Sequence, residues 1–383
     1  MSFAPTIKPK SLLGYHRILS PSAAIKVSPI SLGAMNFGRK WEAFMGECTK
    51  ETAFAIMDFY HASGGNFIDT ANLYMEGESE RWVGEWMALR NVRDEMVIAT
   101  KYTFSTRMLA SEPKGSTRIL SNFGGNGKKS LRLSLEASLE SLQTGYVDIF
   151  YVHAWEGTTS IPELMRALDD VVRSGKVLYL GVSNWPAWVV VKANEYARQH
   201  GLTSFVVYEG RLNPAERDIE RDILPMCKAE GMGITVWSAL GGGKFKINKE
   251  AGGRSMHSAF GQASNEDFQK FAAVMEEIGQ SKGSDSMGVA LRYVMLKAPY
   301  IFPIVGGRKV EHLKRNIEAL SIDLSEEEIE KIESTVPFDF SYPHSLLSGS
   351  STKGISPLNP PSTITYCGHF DGVEEPKPIR LRH

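Results

Sequence analysis

Residues 146–185, YVDIFYVHAWEGTTSIPELMRALDDVVRSGKVLYLGVSNW, contain one complete strand, helix and strand. The run 146–154 is apolar and rich in β-branched and aromatic residues, as a buried strand requires. Ser160, Pro162 and Glu163 then supply a cap, an early proline and the glutamate of a capping box, so a helix is expected over 161–174, stopping at Gly175. A second apolar run follows at 176–184. Two strands joined through a helix pair in parallel, because a short hairpin turn is excluded.

The same rhythm extends outward in both directions. Apolar runs at 27–35, 64–71, 95–102, 203–210, 233–240 and 300–307 bring the strand count to eight. Helices are expected at 50–62, capped by Thr49, and at 79–89, 128–142, 186–199, 219–230, 266–279 and 309–319, with one more after Ser321. Eight alternating units in a chain of 383 residues favour an α/β fold of the (β/α)8 TIM-barrel type. An open dinucleotide-binding sheet is disfavoured, since no GxGxxG follows the first strand. The barrel domain, with its lead-in, is assigned to 1–335, and a Pro/Ser-rich tail partly packed on it to 336–383. Long loops at 103–127 and 241–265 follow the third and seventh strands, which places them on the C-terminal face where barrels build their sites.

Composition narrows the partners. Lys plus Arg number 43 against 44 Asp plus Glu, a formal charge of -1, which argues against a polyanion-binding surface and hence against nucleic acid. Cys48, Cys227 and Cys367 are scattered and form no ligand cluster, so neither a disulfide framework nor a metal site is expected. No stretch reads as a signal peptide or approaches the roughly 20 apolar residues of a membrane span. A cytoplasmic protein with a small-molecule partner and no membrane association is expected; oligomeric state is not legible.

Four ionisable residues fall at or just beyond strand ends: Asp69, Tyr74, Lys101 and His153. Taken singly they read as a helix cap, a packing ring, a structural ion pair and a satisfied core histidine. Together they converge, because the C-terminal ends of barrel strands surround one pocket. A phenol beside a buried ammonium can give a proton to a carbonyl oxygen that is receiving hydride, the histidine can orient that oxygen, and the aspartate can neutralise the lysine.

GGNFIDTANLYMEGESERWVGEW, VIATKY, the 146–185 stretch, ALGGGKFK and FPIVGGRKVEHLKRNIEAL together resemble the aldo-keto reductase family, in its fungal aryl-alcohol dehydrogenase and norsolorinic acid reductase-like branch. The resemblance runs from Ile30 to about Glu330. It implies NADPH or NADP+ bound across the barrel mouth, with NADH less favoured. By that resemblance Ser183 and Asn184 hold the nicotinamide carboxamide and Trp237 stacks on its ring. The stretch 239–245, with Leu240, Gly241 and Lys244, offers close backbone approach and a basic side chain near the pyrophosphate, and Ser238 is expected to contact the cofactor as well. Gly306, Arg308 and Asn316 serve the adenosine end, with Arg308 taking the extra phosphate. Where the family usually carries glutamine, this chain has Glu209. It either accepts from the carboxamide amino group, with protonation or rearrangement, or points to solvent at a loop edge.

Trp41, Phe44, Trp155 and Trp185, with Met45, are expected to wall a pocket for a flat aromatic or polycyclic carbonyl or alcohol. The function expected is reversible hydride transfer between NADP(H) and an aromatic or polyketide-like carbonyl, with Tyr74 as acid and base. Two alternatives stand beside it: a secondary-metabolism enzyme coupling reduction to dehydration or isomerisation, and a nucleotide-bound regulatory β subunit.

Overall fold

All eight apolar runs become strands of a closed parallel barrel in the computed structural model, which describes residues 7–106, 118–247 and 263–347 and the tail pieces 360–361, 367–368, 371–374 and 376–380. Ahead of the barrel lies an antiparallel hairpin, β1 (Arg17–Ser20) and β2 (Ala23–Val27). The barrel strands are β3 (Ser31–Gly33), β4 (Phe67–Asp69), β5 (Val97–Tyr102), β6 (Val147–Val152), β7 (Val177–Ser183), β8 (Phe205–Arg211), β9 (Gly233–Trp237) and β10 (Ile301–Val305). They follow one another in chain order around the ring, and β10 closes on β3. A parallel ring of this kind has no free edge, and helices must cover its outside.

Those helices are α1 (Lys50–Ala62), α2 (Glu78–Arg90), α3 (Lys128–Ser141), α4 (Ile161–Arg173), α5 (Ala187–Gln199), α6 (Ile223–Ala229), α7 (Asn265–Ser281), α8 (Ser286–Met295), α9 (Val310–Glu318) and α10 (Glu326–Glu333). Ser160 caps α4 by accepting from the Glu163 amide, but the expected capping box is only half formed, since Glu163 Oε1 accepts from the Lys128 amide; Ser325 forms a full capping box with Glu328 on α10.

Three departures have physical causes. The hairpin takes Val27, so the first barrel strand is short. The helix expected over 219–230 divides into a single turn at Asp218–Glu220 and then α6, because Pro225 confines helix start to the residues just before it. Finally, the sequence predicts no helix at α8: all of its residues except Met287 are buried, so it shows no polar face.

The barrel interior is layered. Phe67, Ala99, Ile149, Val207 and Phe302 fill its lower part against Leu19, Ala23 and Val27 of the hairpin, which closes the N-terminal end. Gly233 permits that closure, since a Cβ there would fall on the Leu19 carbonyl oxygen. Above the apolar layer the register pairs Lys101 with Tyr151, Ser183 with Glu209 and Glu209 with Thr235, bringing a polar layer toward the C-terminal mouth. At the other end of the chain, Phe340 is buried, Arg217 and Arg221 lie over the Phe338 ring, and Arg380 donates to Asp323.

Candidate active site

Asp69 is the last residue of β4, paired with Ala99, and Lys101 stands two residues beyond Ala99 on β5, so adjacent parallel strands bring the two side chains within reach of each other. Lys101 Nζ donates to both Asp69 oxygens at 2.6 Å and to the Thr70 carbonyl at 3.0 Å. The ammonium is completely buried. Burial alone would lower its pKa, but Asp69 and Glu209 outweigh that and hold it well above the ordinary lysine value.

Tyr74 reaches the same spot from a turn at Tyr74–Gly77. Met75 and Glu76 both take left-handed backbone angles there, φ of 51° and 53°, a strained arrangement that fixes how the tyrosine leaves the chain. Lys101 Nζ lies 5.3 Å from the centre of the Tyr74 ring. Burial raises the phenol above its ordinary value and Lys101 opposes the rise, so Tyr74 holds its proton at neutral pH.

His153 follows β6 and meets Tyr74 edge-on, ring centres 6.0 Å apart, with Phe104 on another side at 5.3 Å. Burial, reinforced by Lys101, pulls its imidazole down to about 3. It is therefore neutral, and its Nδ1 is buried without a partner.

A hydrogen-bonded chain crosses the neighbouring strand ends. Trp237 Nε1 donates to Asn184 Oδ1 at 3.2 Å, and Asn184 Nδ2 donates to Ser183 Oγ at 2.8 Å. Thr103, Asn184 and Ser238, each just past a strand on this face, have φ of 133°, 56° and 60°. Backbone strain thus gathers at the mouth, where function commonly maintains it.

Glu209 is only 3% exposed, which overturns its placement at a solvent-facing edge. Its Oε2 lies 3.4 Å from Lys101 Nζ and has no hydrogen-bond partner. Burial, with repulsion from Asp69 next, pushes its carboxyl up to about 8.

The remaining expected residues divide. Ser238 accepts at its carbonyl from Asn213 Nδ2, Leu240 is partly exposed, and Gly241 is buried with φ of 57° beneath the Phe245 and Phe268 rings. Lys244 lies 4.8 Å from the Phe268 ring centre. Gly306 is exposed, Arg308 is partly exposed with its guanidinium against Gly46, and Asn316 faces inward from α9. Met45 is buried and Trp41 partly exposed, its amide directed to Met75 Sδ, while the side chain of Phe44 lies outside the described residues. Much of the two long loops, 107–117 and 248–262, does too.

Trp155 is partly exposed, but Trp185 is not a pocket wall. It is 1% exposed, wedged between Trp155 at 4.6 Å and Phe205 at 5.8 Å, and belongs to the core outside the strands. Sequence reading also passed over Tyr151 and Thr235, which bond to each other at 3.0 Å below Lys101. Their signal was available: each stands two residues before an expected site residue on its strand and so shares that residue's face.

The profile of the Aldo/keto reductase family matches residues 29–337. Norsolorinic acid reductase A of Aspergillus parasiticus is 52% identical over 348 residues, covering 90% of this chain and 87% of the relative. Norsolorinic acid reductase B of Dothistroma septosporum is 50% identical, covering 96% and 94%. An aryl-alcohol dehydrogenase of Pestalotiopsis microspora is 49% identical, covering 99% and 97%.

Proposed function

The chain belongs to the aldo/keto reductase family and is an oxidoreductase, and from that premise we propose that it reduces aromatic or polyketide-like carbonyls, and oxidises the matching alcohols, with NADP(H) as partner and Tyr74 as the acid and base. The observation that carries this reading is the buried Lys101–Asp69 pair, with Lys101 Nζ 5.3 Å from the centre of the Tyr74 ring and neutral His153 edge-on to that ring.

A nicotinamide dinucleotide suits this mouth, on the buried, unpartnered His153 Nδ1 and Glu209 Oε2 and on the Trp237–Asn184–Ser183 chain. Ser183, Asn184 and Glu209 would hold its carboxamide and Trp237 its ring, with Leu240, Gly241 and Lys244 at the pyrophosphate and Arg308 and Asn316 at the adenosine end. The chemistry supplied by the bound cofactor is hydride donation when reduced and hydride acceptance when oxidised. Tyr74 Oη gives its proton to the substrate oxygen as negative charge grows there, and takes it back in the oxidation. Lys101 stabilises the resulting phenolate, and Asp69 keeps Lys101 charged and aimed. His153, neutral, donates a hydrogen bond to the same oxygen without competing for the proton.

The preference for the phosphorylated cofactor rests on Arg308, whose guanidinium pairs with phosphate in bidentate fashion. The aromatic substrate class is supported by the names of the relatives and by Trp41 and Trp155 at the mouth. A cytoplasmic site of action is part of the proposal, on the odd number and scattered sequence positions of Cys48, Cys227 and Cys367. Among the described residues no helix is long and apolar enough to cross a membrane. The direct test mixes purified protein with NADPH and a panel of aromatic aldehydes and ketones, follows the loss of reduced-cofactor absorbance and identifies products. Product formation at the native rate by Tyr74→Phe would overturn the assignment of Tyr74.

A further inference from the structure

We infer that Glu209 is a proton-holding positioning residue of this site: its carboxyl and that of Asp69 keep one proton between them beside Lys101, and release of that proton changes the charge Tyr74 faces. The inference rests on the reading of the cluster as the reductase centre and adds to it a switch that glutamine, at the same position, could not supply.

The geometry begins with hydrogen-bond counting. Lys101 has three donors, and they go to the two Asp69 oxygens and the Thr70 carbonyl. Glu209 Oε2, at 3.4 Å from the same nitrogen, is left with proximity but no hydrogen bond. The polar layer therefore encloses one ammonium and two carboxyls, all nearly inaccessible to water. Ionising both acids would leave an uncompensated buried charge, which is far costlier than retaining a proton. Asp69 receives two short charge-assisted bonds and is the better anion, so the proton stays on Glu209, with an apparent pKa that belongs to the pair.

The groups facing Glu209 are Lys101 on β5, Asp69 on β4, Tyr74 on the turn after it and Tyr151 on β6, while Tyr208, its neighbour on β8, points to the other face and donates to the Trp185 carbonyl. β7 and β9 present Ser183 and Thr235, which do not titrate in this range. The three phenols are all raised by burial, so the Asp69–Glu209 pair is the first of these to lose a proton on going alkaline. Burial and repulsion from Asp69 place that loss at about 8.

While protonated, Glu209 offers both a donor and an acceptor, the capability of the glutamine it replaces. When the proton leaves to solvent, a negative charge appears beside Tyr74 and makes its phenolate harder to form. Turnover should then fall in both directions by about tenfold for each pH unit beyond the transition, as expected for a reaction needing one protonated group.

Infrared difference spectra of the purified chain, without cofactor or substrate, test this between about pH 6 and about pH 10, a range that spans the transition. A protonated-carboxyl band is expected at neutral pH, disappearing with a midpoint near 8, and absent from Glu209→Gln. Glu80, a buried carboxyl also raised into this region, accepts from Thr100 on the helix side of β5, and its own band is separated by Glu80→Gln. In Asp69→Asn, Glu209 becomes the sole counterion of Lys101, so its band should already be missing at neutral pH. Survival of the band in Glu209→Gln, or its persistence at neutral pH in Asp69→Asn, would overturn the shared proton. The coupling to Tyr74 predicts an alkaline limb in kcat/KM that Glu209→Gln removes, and an identical limb in that variant would overturn it. The infrared arm needs no turnover. Failure of the reductase reading would therefore appear as absent activity with the band intact, and failure of this inference as a missing band with activity intact.

Discussion

Lys101 Nζ is 2.6 Å from each oxygen of Asp69, across two adjacent strands, and the same nitrogen lies 5.3 Å from the centre of the Tyr74 ring. Asp69 thus holds the lysine within reach of the tyrosine ring. Replacing Lys101 with Met removes the cation and leaves Asp69 and Glu209 together in a dry layer, where both will hold protons. Breaking a buried pair this way costs roughly 3–5 kcal/mol of stability. The variant should also lose about a hundredfold or more in kcat, the scale of a lost acid–base arrangement. Denaturant midpoints and steady-state rates check the two effects separately. Unchanged turnover in a folded Lys101→Met protein would remove the lysine from the proposed chemistry.

His153 makes a prediction about acid pH. Its imidazole is held down to about 3 in the folded protein against 6.5 for an ordinary histidine, so the unfolded chain binds the extra proton between those values. Stability from this residue is complete above about 6.5 and is lost as pH falls toward 3, by about 1.4 kcal/mol per pH unit within the window. His153→Gln should flatten that slope. Denaturation curves at several acid pH values report the difference, and parallel slopes for the two proteins would contradict a neutral His153.

Glu209 carries the opposite sign. Its folded value of about 8 exceeds the ordinary 4.5, so the native state binds the extra proton in that interval. Its contribution to stability declines as pH rises from about 4.5 to about 8 and then levels off, again by about 1.4 kcal/mol per unit. Glu209→Gln should therefore gain on the native protein steadily across that range. A stability difference independent of pH would show that the carboxyl is not held protonated.

The closed floor of the barrel is testable through Gly233. A methyl group there would meet the Leu19 carbonyl of the hairpin, a backbone atom with little room to move. Gly233→Ala should cost about 1–3 kcal/mol, the usual penalty for overpacking, with KM values little changed because the mouth lies at the other end of the strands. A calorimetric Tm equal to the native one would mean that the hairpin does not seal the floor as tightly as the interior layer implies.

Asp69, Lys101 and His153 were legible in the sequence because each ends an apolar run, and in a barrel such ends converge. The direction of Glu209 was not. Residues Phe205–Gly210 are all buried, so both faces of β8 are covered and no alternation separates inside from outside. Helix α8 was hidden for the same reason, having no exposed face to set a period. Trp185 misled in another way: its position just past β7 matches that of a pocket residue, yet the chain turns it outward into the layer beneath α5, where Phe205 and Trp155 hold it. Strand ends locate a residue along the barrel axis, but only the register and the packing decide which side of the wall it occupies.

That distinction gives the two tryptophans different expected phenotypes. Trp185 is 1% exposed and contacts Phe205 and Trp155 ring to ring, so Trp185→Ala removes a large core side chain and should cost about 3–5 kcal/mol. Its Nε1 is buried without a partner, so Trp185→Phe sheds an unsatisfied donor along with area and should cost much less. Trp155 is partly exposed just past β6, and Trp155→Ala should act mainly by raising KM for aromatic carbonyls, by about five- to tenfold for a lost aromatic contact of about 1 kcal/mol or slightly more. Paired stability and kinetic measurements on the three variants separate the roles. If Trp185→Phe were to raise KM while leaving Tm unchanged, the ring would have to reach the substrate after all, and its assignment to the core would be wrong.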